Sequence, residues 1–340
     1  MIDLKFIKKV LFVPMDRIGD AISDTPAISF LTSKGISVSV LATPYTEAIF
    51  KNNPNVNNVL VYHRPKREGL IAYLKNLGVA RQVKLVSPDI IFGMMRPIRE
   101  LRYIYKISGV RVENKPQDES QPIYMRWVSY FKTIWGEAKP GSNEIYPGEE
   151  DIKTAIDWAK ETGLDLTMPF IVIHPGCAVY KNQIRINETV KYWHADKFIE
   201  IIQSLPKEYS VILTGINHSE IIANQYIRDK SQRKVGLFTD KNIRSLAWLI
   251  SKSKLLLTLD TGTLHVGAAT CTPVIAIFGP TTPEKYGPFG NNIRYVRTKE
   301  NIVCWPCDQN PVCKGNNICM TSLNAETVKK VVLESLTART

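Results

Sequence analysis

Short, nearly continuous apolar runs recur through the chain, each followed by a stretch long enough for a helix, and this alternation constrains the fold more than any other feature. In the first half the runs are Lys9–Val13, Ile36–Leu41, Val56–Val61 and Asp89–Phe92; in the second they are Phe170–His174, Tyr209–Leu213, Lys254–Leu259 and Pro273–Phe278. A strand buried on both faces reads as an unbroken apolar run, and helices between such strands imply parallel sheets covered on both sides. The expectation is an α/β chain with two doubly wound, Rossmann-like domains facing each other across a cleft, where ligands collect beyond the carboxyl ends of strands. Its length of 340 residues suits two domains of ordinary size.

The divisions read from loop chemistry are an N-terminal domain over 1–150, a linker helix in 151–169, a second domain over 170–322 and a C-terminal helix in 323–340. Lys139-Pro-Gly-Ser-Asn143 and Tyr146-Pro-Gly148 mark the junction, with a helix from Glu149 to about Gly163. In the last helix Ala325, Val328, Val331, Val332 and Leu336 share a face.

No segment approaches the ~20 apolar residues needed to span a bilayer. Met1 to Pro14 carries Lys5, Lys8 and Lys9 before a short apolar run, so neither export nor membrane insertion is expected. Lys and Arg number 44 against 32 Asp and Glu, a net charge of +12, which favours acidic partners: nucleic acid, anionic membrane or phosphorylated small molecules. Much of the excess lies between Arg64 and Arg111, where eleven cations face three carboxylates.

Four loops after strands carry chemistry. Pro14-Met-Asp-Arg-Ile-Gly-Asp20 follows the first strand, and the helix beyond it starts near Asp24, or starts at Asp20 and bends at Pro26, before stopping at Gly35. Asp20 is there either an N-cap or a general base facing a ligand hydroxyl. His174-Pro-Gly176 ends another strand, and Lys181, Arg185 and Lys191-Tyr-Trp193 follow it; His174 either meets a ligand or is a satisfied strand-end histidine. Glu220 lies in the helix after Leu213-Thr-Gly215. The densest segment is Asp260-Thr-Gly-Thr-Leu-His265, whose Thr261, Gly262 and Thr263 would present hydroxyls and amides at a helix N-terminus suited to a diphosphate. Asp260 either holds the turn or orients a ligand. His265 either reaches the ligand or packs internally.

Four of the six cysteines, Cys304, Cys307, Cys313 and Cys319, crowd into sixteen positions. In a reducing compartment they read as a structural zinc or iron site or as reduced thiols, ahead of disulfides. A basic chain with a four-cysteine knuckle also fits a nucleic-acid-binding protein, although no basic, aromatic recognition helix lies beside the cysteines.

Taken in order, Arg17-Ile-Gly-Asp20 with Thr25-Pro26, His174-Pro-Gly176, Lys191-Tyr-Trp193, and Asp260-Thr-Gly-Thr-Leu-His265 running to Phe278-Gly-Pro-Thr281 make the chain resemble glycosyltransferase family 9, the ADP-heptose:lipopolysaccharide heptosyltransferases. The resemblance implies a GT-B fold and an inverting transfer of heptose from ADP-heptose to the lipopolysaccharide inner core. No cofactor or metal would be required for catalysis, and the enzyme would be cytoplasmic and peripheral at the inner membrane. It makes Asp20 the base and Lys191 the group that neutralises the departing diphosphate. His174, Gly176, Glu220, Asp260, Thr261, Gly262, Thr263 and His265 become donor contacts, and Arg96 and Arg99 are the candidate contacts to an acidic glycolipid acceptor. A related transferase with another nucleotide sugar or a protein acceptor is the alternative. The chain departs from the family in a long interval between Gly176 and Trp193, in His194 where proline is common, and in Cys177. A similar Cys-x-Pro-Cys cluster occurs in heptosyltransferase II-like members.

Overall fold

The computed structural model describes residues 6–63, 65–93, 104, 106, 109–110, 112–114, 120–177, 190–308 and 317–337. By its contacts the chain divides into two compact units, Met1–Tyr146 and Pro147–Thr340.

In the first unit β1 (Lys9–Val13), β2 (Ser37–Ala42), β3 (Asn58–Val61), β4 (Ile90–Gly93) and β5 (Val112–Asn114) form one sheet in the order β3-β2-β1-β4-β5, every pairing parallel. Leu11, Val38, Val40, Ile90 and Ile91 are wholly buried, as an apolar run covered on both faces must be. Each such side chain contributes about 1.5–3 kcal/mol by leaving water. Helix Met125–Trp135 adds an aromatic layer: Phe131 stacks on Phe30 at 5.2 Å and meets Phe92 at 5.7 Å. Gly136 ends that helix at φ 73°, a conformation costly for any residue with a Cβ.

The chain after that helix stays with the first unit. Glu144 accepts hydrogen bonds from Ser29 and Asn53, and its backbone N–H donates to Thr25 Oγ1 at 2.9 Å.

The second unit holds β6 (Phe170–His174), β7 (Ser210–Thr214), β8 (Val235–Phe238), β9 (Leu255–Leu259), β10 (Val274–Ile277) and β11 (Ile293–Val296), in the order β11-β10-β9-β6-β7-β8, again all parallel. Strand order reverses between β6 and β9, so the crevice beyond His174 and Leu259 is the place where such a sheet opens to a ligand. Helix Glu149–Glu161 belongs to this unit. Its Asp151 receives Arg244 Nε at 2.7 Å and Asn242 Nδ2 at 2.7 Å, and Trp158 donates to the Leu237 carbonyl at 3.1 Å. Helices Ala195–Ser204 and Ala325–Thr337 close one face through Phe198, Val328, Val332 and Leu336.

Three strands escape the apolar-run criterion. β8 carries a glycine, β11 is an edge strand with exposed residues in its middle, and β5 is only three residues long. Edge position lets polar side chains into a strand, which erases the continuous signal.

Candidate functional site

In the first unit the residues after β1 turn directly into helix Ile18–Ser23, with Arg17 in the N-cap position; a second helix, Thr25–Ser33, follows without a loop. The start lies ahead of both expected positions, and Asp20 stands inside the first turn rather than at the cap. There the helix dipole favours its negative charge. The break at Asp24 follows from Pro26, which has no N–H to give the carbonyl of Ile22; Thr25 Oγ1 takes that carbonyl instead at 2.7 Å.

Asp24, one helical turn beyond Asp20, is the residue that motif reading passed over. The residue is 4% exposed, and its carboxyl accepts the Met15 N–H at 2.8 Å, tying the loop after β1 to the helix. Burial pushes its pKa up to about 8; the Met15 bond opposes this, the Asp20 charge adds to it, and Arg126 works against it. Asp24 is therefore mostly protonated near pH 7. An acid whose folded pKa exceeds its unfolded value of 3.8 favours the folded state below about pH 4, and that contribution is lost as the pH rises to about 8. Asp24→Asn, whose amide oxygen can still accept from Met15, is expected to gain stability relative to the parent between pH 5 and 9, by up to several kcal/mol. Urea melts of both proteins across that range check this; a constant difference would remove the buried acid from the account.

In the second unit the sequence candidates gather on either side of the reversal. Lys191 Nζ donates to Asp260 Oδ2 at 2.5 Å and to the Asp260 carbonyl at 2.9 Å, while Thr281 Oγ1 donates to the same Oδ2 at 2.5 Å. Asp260 thus holds the ammonium and the hydroxyl in place, and one of the three lysine N–H donors remains for a ligand. Thr281 closes the Phe278–Thr281 motif, and only the fold shows it bonded to Asp260. Thr261 is the N-cap of helix Gly262–Ala269, so the amides of Gly262 and Thr263 open at the same end of the sheet. The helix lies close on the sheet because Gly267 has no Cβ: one there would come within 2.6 Å of Leu256 Cδ2.

His265 is buried on the second turn of this helix. Burial lowers its pKa to about 4, against the pull of Asp260 and with that of Lys191, so its imidazole is neutral at physiological pH.

On the β6 side, His174 Nδ1 shares a hydrogen bond with the Thr214 carbonyl at 3.0 Å, which fixes the ring across the ends of β6 and β7. Glu220 forms a capping box with Asn217: its N–H donates to Asn217 Oδ1 at 2.9 Å, and its Oε2 accepts from the Ile216 N–H at 2.9 Å and the Asn217 N–H at 3.3 Å. Gly176 lets Glu220 approach, since a Cβ there would lie 2.5 Å from Oε1. Cys177 is packed into the core, and His194 is the N-cap of helix Ala195–Ser204, accepting from the Asp196 N–H at 3.4 Å. Trp193, beside Lys191, is anchored by its indole N–H on the Leu323 carbonyl at 3.0 Å.

Cys304, Cys307 and Cys319 line one small pocket with Trp305 and Ile318; Val190 and Pro280, neighbours in sequence of Lys191 and Thr281, are also in its wall. Trp305 Nε1 donates to the Gly279 carbonyl at 2.8 Å, so the cysteine loop braces the loop after β10 that carries Thr281. Among the described residues no group of three or more His, Cys, Asp or Glu is arranged to hold a metal ion. Cys313, Arg96, Arg99, Lys181 and Arg185 lie outside the described residues. Among the described residues no helix is long and apolar enough to cross a membrane.

Two doubly wound parallel sheets in one chain, with a clamped lysine and a helix N-terminus at the strand-order reversal of the second, are the arrangement of the GT-B fold. Residues 93–313, more than half of the chain, match glycosyltransferase family 9 (heptosyltransferase). The chain is 24% identical over 329 residues to the lipooligosaccharide heptosyltransferase 2 of Campylobacter jejuni, covering 92% of this chain and 94% of that protein. Among solved structures, a family 9 glycosyl transferase of Veillonella parvula superposes with a TM-score of 0.81 at 19% identity, covering 98% of both chains. The ADP-heptose lps heptosyltransferase II of E. coli does so at 0.74 and 15%, covering 96% of this chain and 98% of that one. The protein belongs to glycosyltransferase family 9.

Proposed function

We propose that the protein transfers heptose from ADP-heptose to the inner core of lipopolysaccharide, with inversion and without a catalytic metal. The observation that carries this reading is the Lys191–Asp260–Thr281 cluster at the N-terminus of helix Gly262–Ala269. Backbone amides at a helix start and a held ammonium form an anion site of the kind a diphosphate needs. In this reading Lys191 neutralises the charge that grows on the departing ADP, and Thr261, Gly262 and Thr263 bind its phosphates. His265, neutral, offers a hydrogen bond without competing for phosphate charge. His174, Gly176 and Glu220 shape the wall next to the donor.

Asp20 removes the proton of the acceptor hydroxyl as that oxygen attacks the anomeric carbon; the bond to the ADP oxygen breaks from the opposite face, which inverts the centre. Asp24 holds its own proton and keeps the loop before Asp20 in place. Arg96 and Arg99 are proposed to meet the acidic acceptor, with the enzyme working as a peripheral protein at the cytoplasmic face of the inner membrane. A zinc or iron held by Cys304, Cys307, Cys313 and Cys319 is a proposal for the loop's structure alone. The described thiols share a pocket without forming a ligand cluster.

The test is a donor profile: ADP-heptose, ADP-glucose, UDP-GlcNAc and GDP-mannose, each offered with a heptose-deficient core acceptor. ADP-heptose is expected to be consumed fastest and to give a product of inverted anomeric configuration, with or without chelator. Preference for another donor would move the protein to the alternative transferase reading. Native mass spectrometry weighs the cysteine loop for metal.

A further inference from the structure

A surface helix ordinarily turns charged and polar side chains outward. Helix Pro65–Val86 turns large apolar ones outward as well. Its inner face is supplied by Ala72, Asn76, Val79, Ala80 and Val83, all buried, with Asn76 clasping the backbone of His63 through two hydrogen bonds of 2.8 and 2.6 Å. Val79, Ala80 and Val83 share a core with Leu11, Leu41, Leu60 and Ile91 of the sheet. Outward it shows Ile71, Leu74, Leu77 and Leu85, which are 63%, 64%, 49% and 86% exposed. At about 100° per residue these four fall within an arc of about 120°. Arg81 lies inside that arc, and Lys84 and Lys75 lie at its two borders; all three are exposed.

Charge on this face has one sign. From Gly69 to Val86 the helix contains no Asp or Glu, and none of Lys75, Arg81 and Lys84 has an ion-pair partner among the described residues. Exposed leucines framed by cations form a surface for a layer that is apolar inside and anionic outside. No described helix can cross a bilayer, so contact of this kind lies in the interface plane.

We propose that the outer face of helix Pro65–Val86 docks on an anionic phospholipid bilayer, with Ile71, Leu74, Leu77 and Leu85 entering the headgroup boundary and Lys75, Arg81 and Lys84 meeting lipid phosphates. This deepens the proposed function and rests on its reading of the acceptor as a lipid-anchored saccharide, but docking is measured with no acceptor or donor present. A transferase inactive on every donor that still bound vesicles through this face would sink that function and leave the docking intact.

The experiment is co-sedimentation of the full chain with phosphatidylcholine vesicles and with vesicles containing phosphatidylglycerol. Two triple variants run beside it: Leu74→Ser/Leu77→Ser/Leu85→Ser and Lys75→Gln/Arg81→Gln/Lys84→Gln. All six positions are exposed, and unchanged melting curves verify the folds. The parent is expected to bind only the anionic vesicles and to leave them near 1 M salt, where screening shrinks to about 3 Å. The cation variant should lose roughly a hundredfold in partition, from about fivefold per cation, and the leucine variant at least about tenfold. Turnover of an acceptor saccharide stripped of its acyl chains should stay at the parent rate in both. Parent protein that ignores anionic vesicles, or leucine and cation variants that bind as the parent does, would overturn the proposal. So would a parent dimer that the leucine variant dissolves in analytical ultracentrifugation while vesicle binding stands, since the face would then serve a second copy of the chain.

Discussion

Asp20→Asn is expected to bind ADP as the parent does and to transfer heptose about 10²- to 10⁴-fold more slowly, the usual cost of losing a general base. Asparagine keeps the size and the hydrogen-bonding shape but cannot take the acceptor's proton. The neighbouring carboxyl is no substitute: Asp24 is buried, mostly protonated near neutral pH and engaged by the Met15 amide. Titration calorimetry with ADP and initial rates with the full substrate pair separate the two effects. Parent-like turnover would remove Asp20 from the chemistry and return it to a purely structural place in the first helical turn.

The second large effect concerns Lys191. Replacing it with glutamine removes the ammonium from a carboxylate that stays buried, leaving it, among the described residues, with Thr281 as its side-chain donor. An uncompensated buried charge is costly, and Lys191→Gln should lower stability by about 3 kcal/mol. It should also weaken ADP binding, because a cation facing the diphosphate is gone. The two consequences are separable in a double-mutant cycle. Lys191→Gln/Asp260→Asn leaves no buried charge and should recover most of the stability, whereas ADP affinity should stay low. If ADP affinity returned with stability, the lysine would be an internal tie and the phosphate site would lie elsewhere. Additive losses in stability would mean the pair is not coupled, against the 2.5 Å contact.

Much of the molecule was legible from local pattern. The central strands of both sheets are continuous apolar runs because each is covered on both faces, and the structure places every expected strand within two residues of its expected bounds. Gly35 stops the first long helical stretch, at φ 77°. The motifs at His174, Asp260 and Thr281 follow strands, as loops that carry sites do. The helix break at Asp24 was only half legible. Pro26 announced a disturbance, but its place depended on Thr25 reaching the Ile22 carbonyl and on Glu144 holding Thr25 from far along the chain. Arg96, Arg99 and Cys313 lie outside the described residues, so sequence pattern remains their support.

By itself the sequence determined the central strands, their parallel pairing and the residue types available at the ends of strands, because burial on both faces and turn chemistry act over a few residues; the edge strands β5, β8 and β11 it did not mark. Tertiary structure alone decided which ends meet. The order β9-β6 sets strands about eighty positions apart side by side and brings Lys191 onto Asp260 across 69 positions. It also decided that Asp24 and His265 are uncharged near neutrality, since desolvation depends on everything packed around a group and not on its neighbours in the chain.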